Sequence, residues 1–133
     1  MSLYLHARVG DYRLLLPAER VLEVWPGRAG EDTGRWRTRD VPVIDLRTVL
    51  GTPIGNEAVY VAYGAAPDDA AAIVLTLDGV VGLLALATDA LASLPAISAR
   101  TAALFDAITR EPVGARHLLR LKLQPDFVAS AAG

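Results

Sequence analysis

The chain has 133 residues, 53% of them apolar, with a formal net charge of −2 and no cysteine. That length suits one compact domain and can bury roughly two-thirds of its unfolded surface, so a core is feasible without staples. The composition excludes disorder, a disulfide framework and thiolate chemistry, and so small a charge draws neither nucleic acid nor an anionic membrane by itself.

Residues 3–9, LYLHARV, alternate: Leu3, Leu5, Ala7 and Val9 share one face, and Tyr4, His6 and Arg8 the other. Period two over seven residues predicts a half-buried strand. Gly10-Asp11 fits a tight hairpin loop, because glycine accepts the positive φ of its first position. YRLLL returns as a second strand, Pro17 ends it, and PAER reads as a single turn before a third strand, VLEVW. Residues 26–39 carry glycine, proline and charge, which predicts a long loop. Within it Arg28, Arg35, Arg37 and Arg39 surround Trp36. Two readings stand: a solvated loop balanced by its acidic residues, or a protein-contact patch, since Arg and Trp are enriched where binding energy concentrates.

In DVPVIDLRTVLG, residues 40–51, Val41, Val43 and Ile44 favour a strand. Pro42 donates no ladder hydrogen bond, so that strand belongs at an edge or a bulge. Leu46, Val49 and Leu50 then repeat at i, i+3 and i+4, a helical face of about one turn closed by Gly51. Asp45 at the junction fits a structural cap worth about 1 kcal/mol, and no partner for catalysis lies near it in sequence. Further strand signals are AVYVAY at 58–63, AAIVLTL at 71–77, VVGLLAL at 80–86 and HLLRLKL at 117–123. Asp78-Gly79 divides the most apolar stretch, 70–87, into two arms. They read as a hairpin and not as a membrane helix. A helix is expected over 98–109, with Ser98 as N-cap. Many short strands separated by turns predict a barrel or sandwich.

The search for chemistry returns almost nothing. His6 and His117 lie far apart with no nucleophile joined to them, the glycines lack phosphate-loop spacing, and no His/Asp/Glu set has metal spacing. Asp68-Asp69 and Glu31-Asp32 sit in turn-like contexts where carboxylates are solvated. No signal peptide pattern opens the chain, and a cytoplasmic location is expected. The expectation is a chain that is no enzyme, with no cofactor, no metal, no nucleic-acid partner and no membrane insertion.

Taken together, YRLLLPAERVLEVW, VPVIDLRTVLG, IVLTLDGVVGLLALATDALASLP and GARHLLRLKLQPDF resemble, in order, the stretches of the CheW-like family of chemotaxis coupling proteins. The pair formed by the "LP" turn with Val-x-Glu-Val and VPVIDLR carries most of the likeness. It implies a mainly β fold, a single domain over residues 1–133 made of two intertwined SH3-like five-stranded barrels with short helical turns. It also implies a non-catalytic adaptor. The partners would be the regulatory domain of a CheA-type histidine kinase and the signalling tip of a methyl-accepting chemoreceptor, bound at a groove between the barrels and at barrel ends. Family contact positions fall on Val21 and Glu23, and the family's Gly-Val-x-Asn-Leu-Arg-Gly segment, counted back from Pro42, lands its arginine on Arg37. Trp36 replaces the family leucine and Thr38 the family glycine, and the family's aspartate after GLLV is absent from GLLALATDAL. The expected partner-binding set is therefore Val21, Glu23, Trp36, Arg37 and Arg39, in a short and divergent member. The alternative is a CheW-fold interaction module of a pilus-type or other system that has lost array function. A third possibility is a small enzyme or ligand-binding barrel, which would need a deep pocket lined by polar groups.

Overall fold

The structure, a computed structural model of the chain, describes residues 1–28, 35–64, 72–94 and 103–123. β1 (Ser2–Val9) and β2 (Tyr12–Pro17) form the expected hairpin. Gly10 at its tip has φ +56°, and a Cβ there would lie 2.7 Å from Thr52 Cγ2. Turn and contact both require glycine at that position. A 3₁₀ turn, Ala18–Arg20, leads into β3 (Val21–Arg28). β4 (Arg35–Trp36) and β5 (Arg39–Asp40) make a two-residue ribbon, and β6 (Val43–Asp45) leads into α1 (Leu46–Leu50). β7 (Glu57–Gly64), β8 (Ala72–Leu77), β9 (Gly79–Leu86), β10 (Leu91–Ser93), β11 (Phe105–Thr109) and β12 (Leu119–Leu121) complete a mainly β architecture.

The strands form a six-stranded sheet in the order β10-β11-β12-β2-β1-β9, a four-stranded sheet β3-β7-β8-β6, and the β4-β5 ribbon. β12 pairs with β2, and β6 with β8, in parallel; the other ladders are antiparallel. The main core lies between the two large sheets. Leu5, Ala7, Val9, Leu14 and Leu16 of one meet Val61, Ile73, Leu75 and Leu77 of the other, and α1 adds Leu46 and Leu50. The opposite face of the four-stranded sheet carries a second cluster around Trp36, Tyr60, Ala62 and Val74. A third, Tyr4, Leu15 and Leu118, lies on the back of the six-stranded sheet. All six residues of β8 are buried, which explains why AIVLTL is apolar at every position but Thr76 instead of alternating. Pro42 precedes an edge strand, as its missing donor requires, and its carbonyl accepts from Val74 N at 2.9 Å.

Three expectations need correction. Asp78-Gly79 is not a hairpin turn: β8 pairs with β7 and β6, while β9 pairs with β1 in the other sheet. The two residues carry the chain from one sheet to the other. The helix expected to run to residue 109 has given way to strand by Phe105, because Phe105, Ala107 and Thr109 are buried with period two between β10 and β12. Its proposed cap, Ser98, lies outside the described residues. The 26–39 loop is partly strand, since β3 continues to Arg28 and the ribbon occupies Arg35 to Asp40. Asp68-Asp69 and Glu31-Asp32 also lie outside the described residues. No helix among the described residues is long and apolar enough to cross a membrane.

One polar network joins the sheets. Asp45 is the N-cap of α1, and its Oδ1 accepts from Arg47 N at 3.0 Å. The Arg47 guanidinium, 1% exposed, donates back to both Asp45 carboxylate oxygens at 3.0 Å each and to Glu57 O at 3.2 Å. It also lies 3.7 Å from Asp78 Oδ1. Asp78 in turn accepts from Gly10 N at 2.6 Å through Oδ2, and its own N–H donates to Arg8 O at 3.0 Å. The Asp45 hydrogen bonds outweigh burial and raise the Arg47 pKa, so the charge persists. Removing one member of such a buried set strands its partners. Arg47→Ala is expected to cost about 3–5 kcal/mol in urea unfolding, and Arg47→Lys to recover only part of it, because an ammonium cannot bond both oxygens in the same fork.

Candidate functional site

The residues singled out in the sequence divide between two faces of the four-stranded sheet. β3 is an edge strand of that sheet, with a bulge between Val21 and Glu23. Val21 lies opposite Tyr63 and packs on the main core. After the bulge, Glu23 lies opposite Ala62 and Trp25 opposite Tyr60, on the side of the Trp36 cluster. Leu22, Trp25 and Val41 pack against that cluster, and Trp25 and Tyr60 rings meet at 6.0 Å with a 37° tilt. The Tyr60 hydroxyl donates to Arg28 O, tying the far end of β3 to β7. Glu23, Trp36, Arg37 and Arg39 therefore belong to one side of the sheet, and Val21 to the other.

The ribbon sets out its residues unequally. Trp36 is 5% exposed, so its indole anchors the ribbon to the sheet, and its Nε1 is buried without a hydrogen bond. Arg37 stands over that ring, Cζ 4.3 Å from the centroid, a contact worth about 0.5–1 kcal/mol at an exposed site. Arg37, Arg39 and Asp40 are exposed, while Arg35 donates to Thr38 O at 3.1 Å. Arg37 and Thr38 form the two-residue turn with φ of +51° and +63°. A turn with both central residues at positive φ ordinarily takes Asn-Gly. Here a β-branched threonine occupies that region, a strain of about 1–3 kcal/mol held in place by the buried Trp36 beside it. The strain coincides with the position that the family resemblance singled out.

The two histidines offer no catalytic pairing. His117 Nδ1 lies 2.8 Å from Thr109 O, and His6 Nε2 is buried without a partner. No group of three His, Cys, Asp or Glu residues among those described could hold a metal. The sequence reading missed Arg47 and Asp78. The only local trace of Arg47 is the Asp-x-Arg spacing at the strand-to-helix junction, and Asp78 reaches it through the fold alone.

No family model matches the chain, and no curated protein matches it in sequence. Among solved structures it is similar to the scaffolding protein TtCheW from Thermoanaerobacter tengcongensis. The TM-score is 0.73 at 14% identity, covering 92% of this chain and 90% of that one. The chain thus has the CheW-like fold, which agrees with the mainly β class expected from its strand pattern.

Thr38→Gly is expected to raise stability by about 1 kcal/mol in urea unfolding, because it relieves the turn while leaving Arg37 over Trp36. Burial, helped by the charge of Arg13, lowers the His6 pKa from its ordinary 6.5. The folded state then holds fewer protons than the unfolded state in mild acid. The contribution from His6 is complete above about pH 6.5 and declines as pH falls through that value. Thermal melts between pH 7.5 and 5 are expected to show that decline, and His6→Phe to reduce it.

Proposed function

We propose that the chain is a non-catalytic adaptor of a chemosensory pathway, joining a chemoreceptor to a CheA-type histidine kinase through protein contacts. The observation that carries this reading is the CheW-like fold over nearly the whole length, matched to a protein whose name describes a scaffold. The two large sheets would correspond to the two interlocked subdomains of that family within one domain. The partner-binding surface proposed here is the outer side of β3 and the ribbon, with Glu23, Arg37 and Arg39 as exposed contacts and Trp36 as the buried support of Arg37. Val21, on the other face, would act through the main core.

A second apolar surface supports a protein-binding role. β9 is an edge strand of eight residues without a charge, and Val81 and Leu83 are 59% and 67% exposed. Proteins that stay monomeric place charge or proline on such edges. The adaptor reading gives these side chains a partner to cover them.

Titration of the chain against the regulatory domain of a CheA-type kinase, and separately against a receptor signalling tip, tests the proposal. Saturable binding to at least one is expected. Glu23→Lys combined with Arg37→Glu, or Leu83→Glu alone, is expected to weaken it about tenfold or more. Failure of the unaltered chain to bind either partner, drawn from the same genome, would overturn the adaptor reading.

A further inference from the structure

The tip of the β1-β2 hairpin gathers more positive charge than the fold neutralises. Arg8 and Arg13 lie directly opposite each other in the ladder, one pair in from the Gly10-Asp11 loop. Residues so placed have Cβ atoms about 4.5–5.5 Å apart, and like charges there destabilise a hairpin. Arg116 joins them from the turn at 113–116, its Nη1 donating to Asp11 O at 2.8 Å. Three guanidinia from three segments of the chain therefore meet around one loop.

The acceptors at the tip do not match these donors. Asp11 lies 3.6 Å from Arg116 Nη2, and its side chain is 95% exposed. Asp78, behind the loop, is taken up by Gly10 N and Arg47. Arg13 has two backbone carbonyls, Gly10 O and Tyr12 O, at 3.1 Å each. The Arg8 guanidinium forms no hydrogen bond or ion pair among the described residues. It is seated all the same: a Cβ on Gly79 would lie 2.9 Å from Arg8 Nη2, so glycine leaves the room that the guanidinium occupies. Burial, then the charges of Arg116 and Arg8, lower the Arg13 pKa, and Asp11 offsets only part of that. The same positive field reaches His6, two residues from Arg8 on β1, whose pKa Arg13 helps to lower.

We infer that the hairpin tip docks a carboxylate-rich segment of a partner protein, with Arg8, Arg13 and Arg116 as its contacts. The planar fork of a guanidinium matches a carboxylate, and an acidic segment laid across the tip relieves the repulsion between Arg8 and Arg13. Each contact on so open a surface is weak and screened by salt, so a single small anion gains little there. A segment with several carboxylates engages all three guanidinia together. Nucleic acid and anionic membranes bring a dense array of phosphates to a chain of net charge −2, with the Asp11 carboxylate standing inside the patch. The inference stands apart from the adaptor reading, since neither the β3 side nor the exposed apolar side chains of β9 enter it.

An octaglutamate peptide titrated into the purified chain at low ionic strength, followed by amide and arginine Nε chemical shifts, tests it. Saturable shifts centred on Arg8, Arg13 and Arg116 are expected, with a Kd on the order of 0.1–1 mM that weakens as salt is added. Arg8→Glu is expected to weaken binding about tenfold while raising the urea midpoint, because it turns a repulsive cross-strand pair into an attractive one. Arg116→Gln is expected to weaken binding a few-fold. Absence of saturable shifts at peptide concentrations on the order of 10 mM would overturn the inference. Unchanged binding in folded Arg8→Glu, or a lower urea midpoint for that variant, would overturn it as well. So would inorganic phosphate, an oligonucleotide of equal charge or vesicles of anionic lipid binding as tightly as the peptide.

Discussion

The buried guanidinium of Arg47 is the constraint on which the rest of this fold depends. It sits on a helix of five residues, far too short to be stable by itself, and fixes that helix by bonding both oxygens of its own N-cap. The same group reaches the start of β7 through Glu57 O and the sheet-to-sheet crossing through Asp78. Asp78 then holds the tip of the β1-β2 hairpin through Gly10 N. A buried ion network of this kind is weak evidence for stability, since its attraction is largely offset by desolvation. Its value lies in what it forbids. A one-residue slip at the crossing would move Asp78 from between Arg47 and Gly10 and leave charges buried without partners.

That network gives every part of VPVIDLRTVLG a physical reason. Val43, Ile44 and Asp45 pair with β8 at its edge, where Pro42 can do without a donor. Asp45 caps, Leu46 and Leu50 fill the core, and Arg47 binds the crossing. Gly51, at φ +71°, ends the helix in the left-handed region and donates to Thr48 O at 3.2 Å. Thr52 then stands where it closes on Gly10. The stretch is architecture, and its arginine, rather than its aspartate alone, is the centre of it.

What could be read in the sequence follows the range of the forces involved. β1 and β2 alternate because one face meets the core, and that periodicity is local information. Asp78-Gly79 announces a change of direction but not its destination. Whether the next strand folds back on β8 or crosses to β1 is decided by pairing partners some seventy residues away, at Arg8 and Leu5. The same holds for 105–109, where the helical expectation gives way to burial between two strands. At the candidate site, Glu23, Arg37 and Arg39 could be singled out by residue type and by resemblance. The separation of Val21 onto the opposite face depends on a bulge that no local pattern encodes.

The faces of the four-stranded sheet explain how a ribbon of two-residue strands is anchored. β7 carries Val61 and Tyr63 into the main core and Ala58, Tyr60 and Ala62 into the Trp36 cluster, so a single strand is buried on both sides. Trp36 is therefore fixed against an element that cannot move without disturbing two cores. Arg37 rests on Trp36 in a turn that its residues would not adopt alone. On the adaptor reading, a protein that holds partners in a set geometry needs this property more than it needs reactive groups. Strain at Arg37-Thr38 is tolerated because the indole beneath over-determines the turn, and it keeps an exposed guanidinium at a defined place on the surface. On the adaptor reading, stiffness passes from β7 through Trp36 to Arg37, and that is where the fold and the contact surface become one problem.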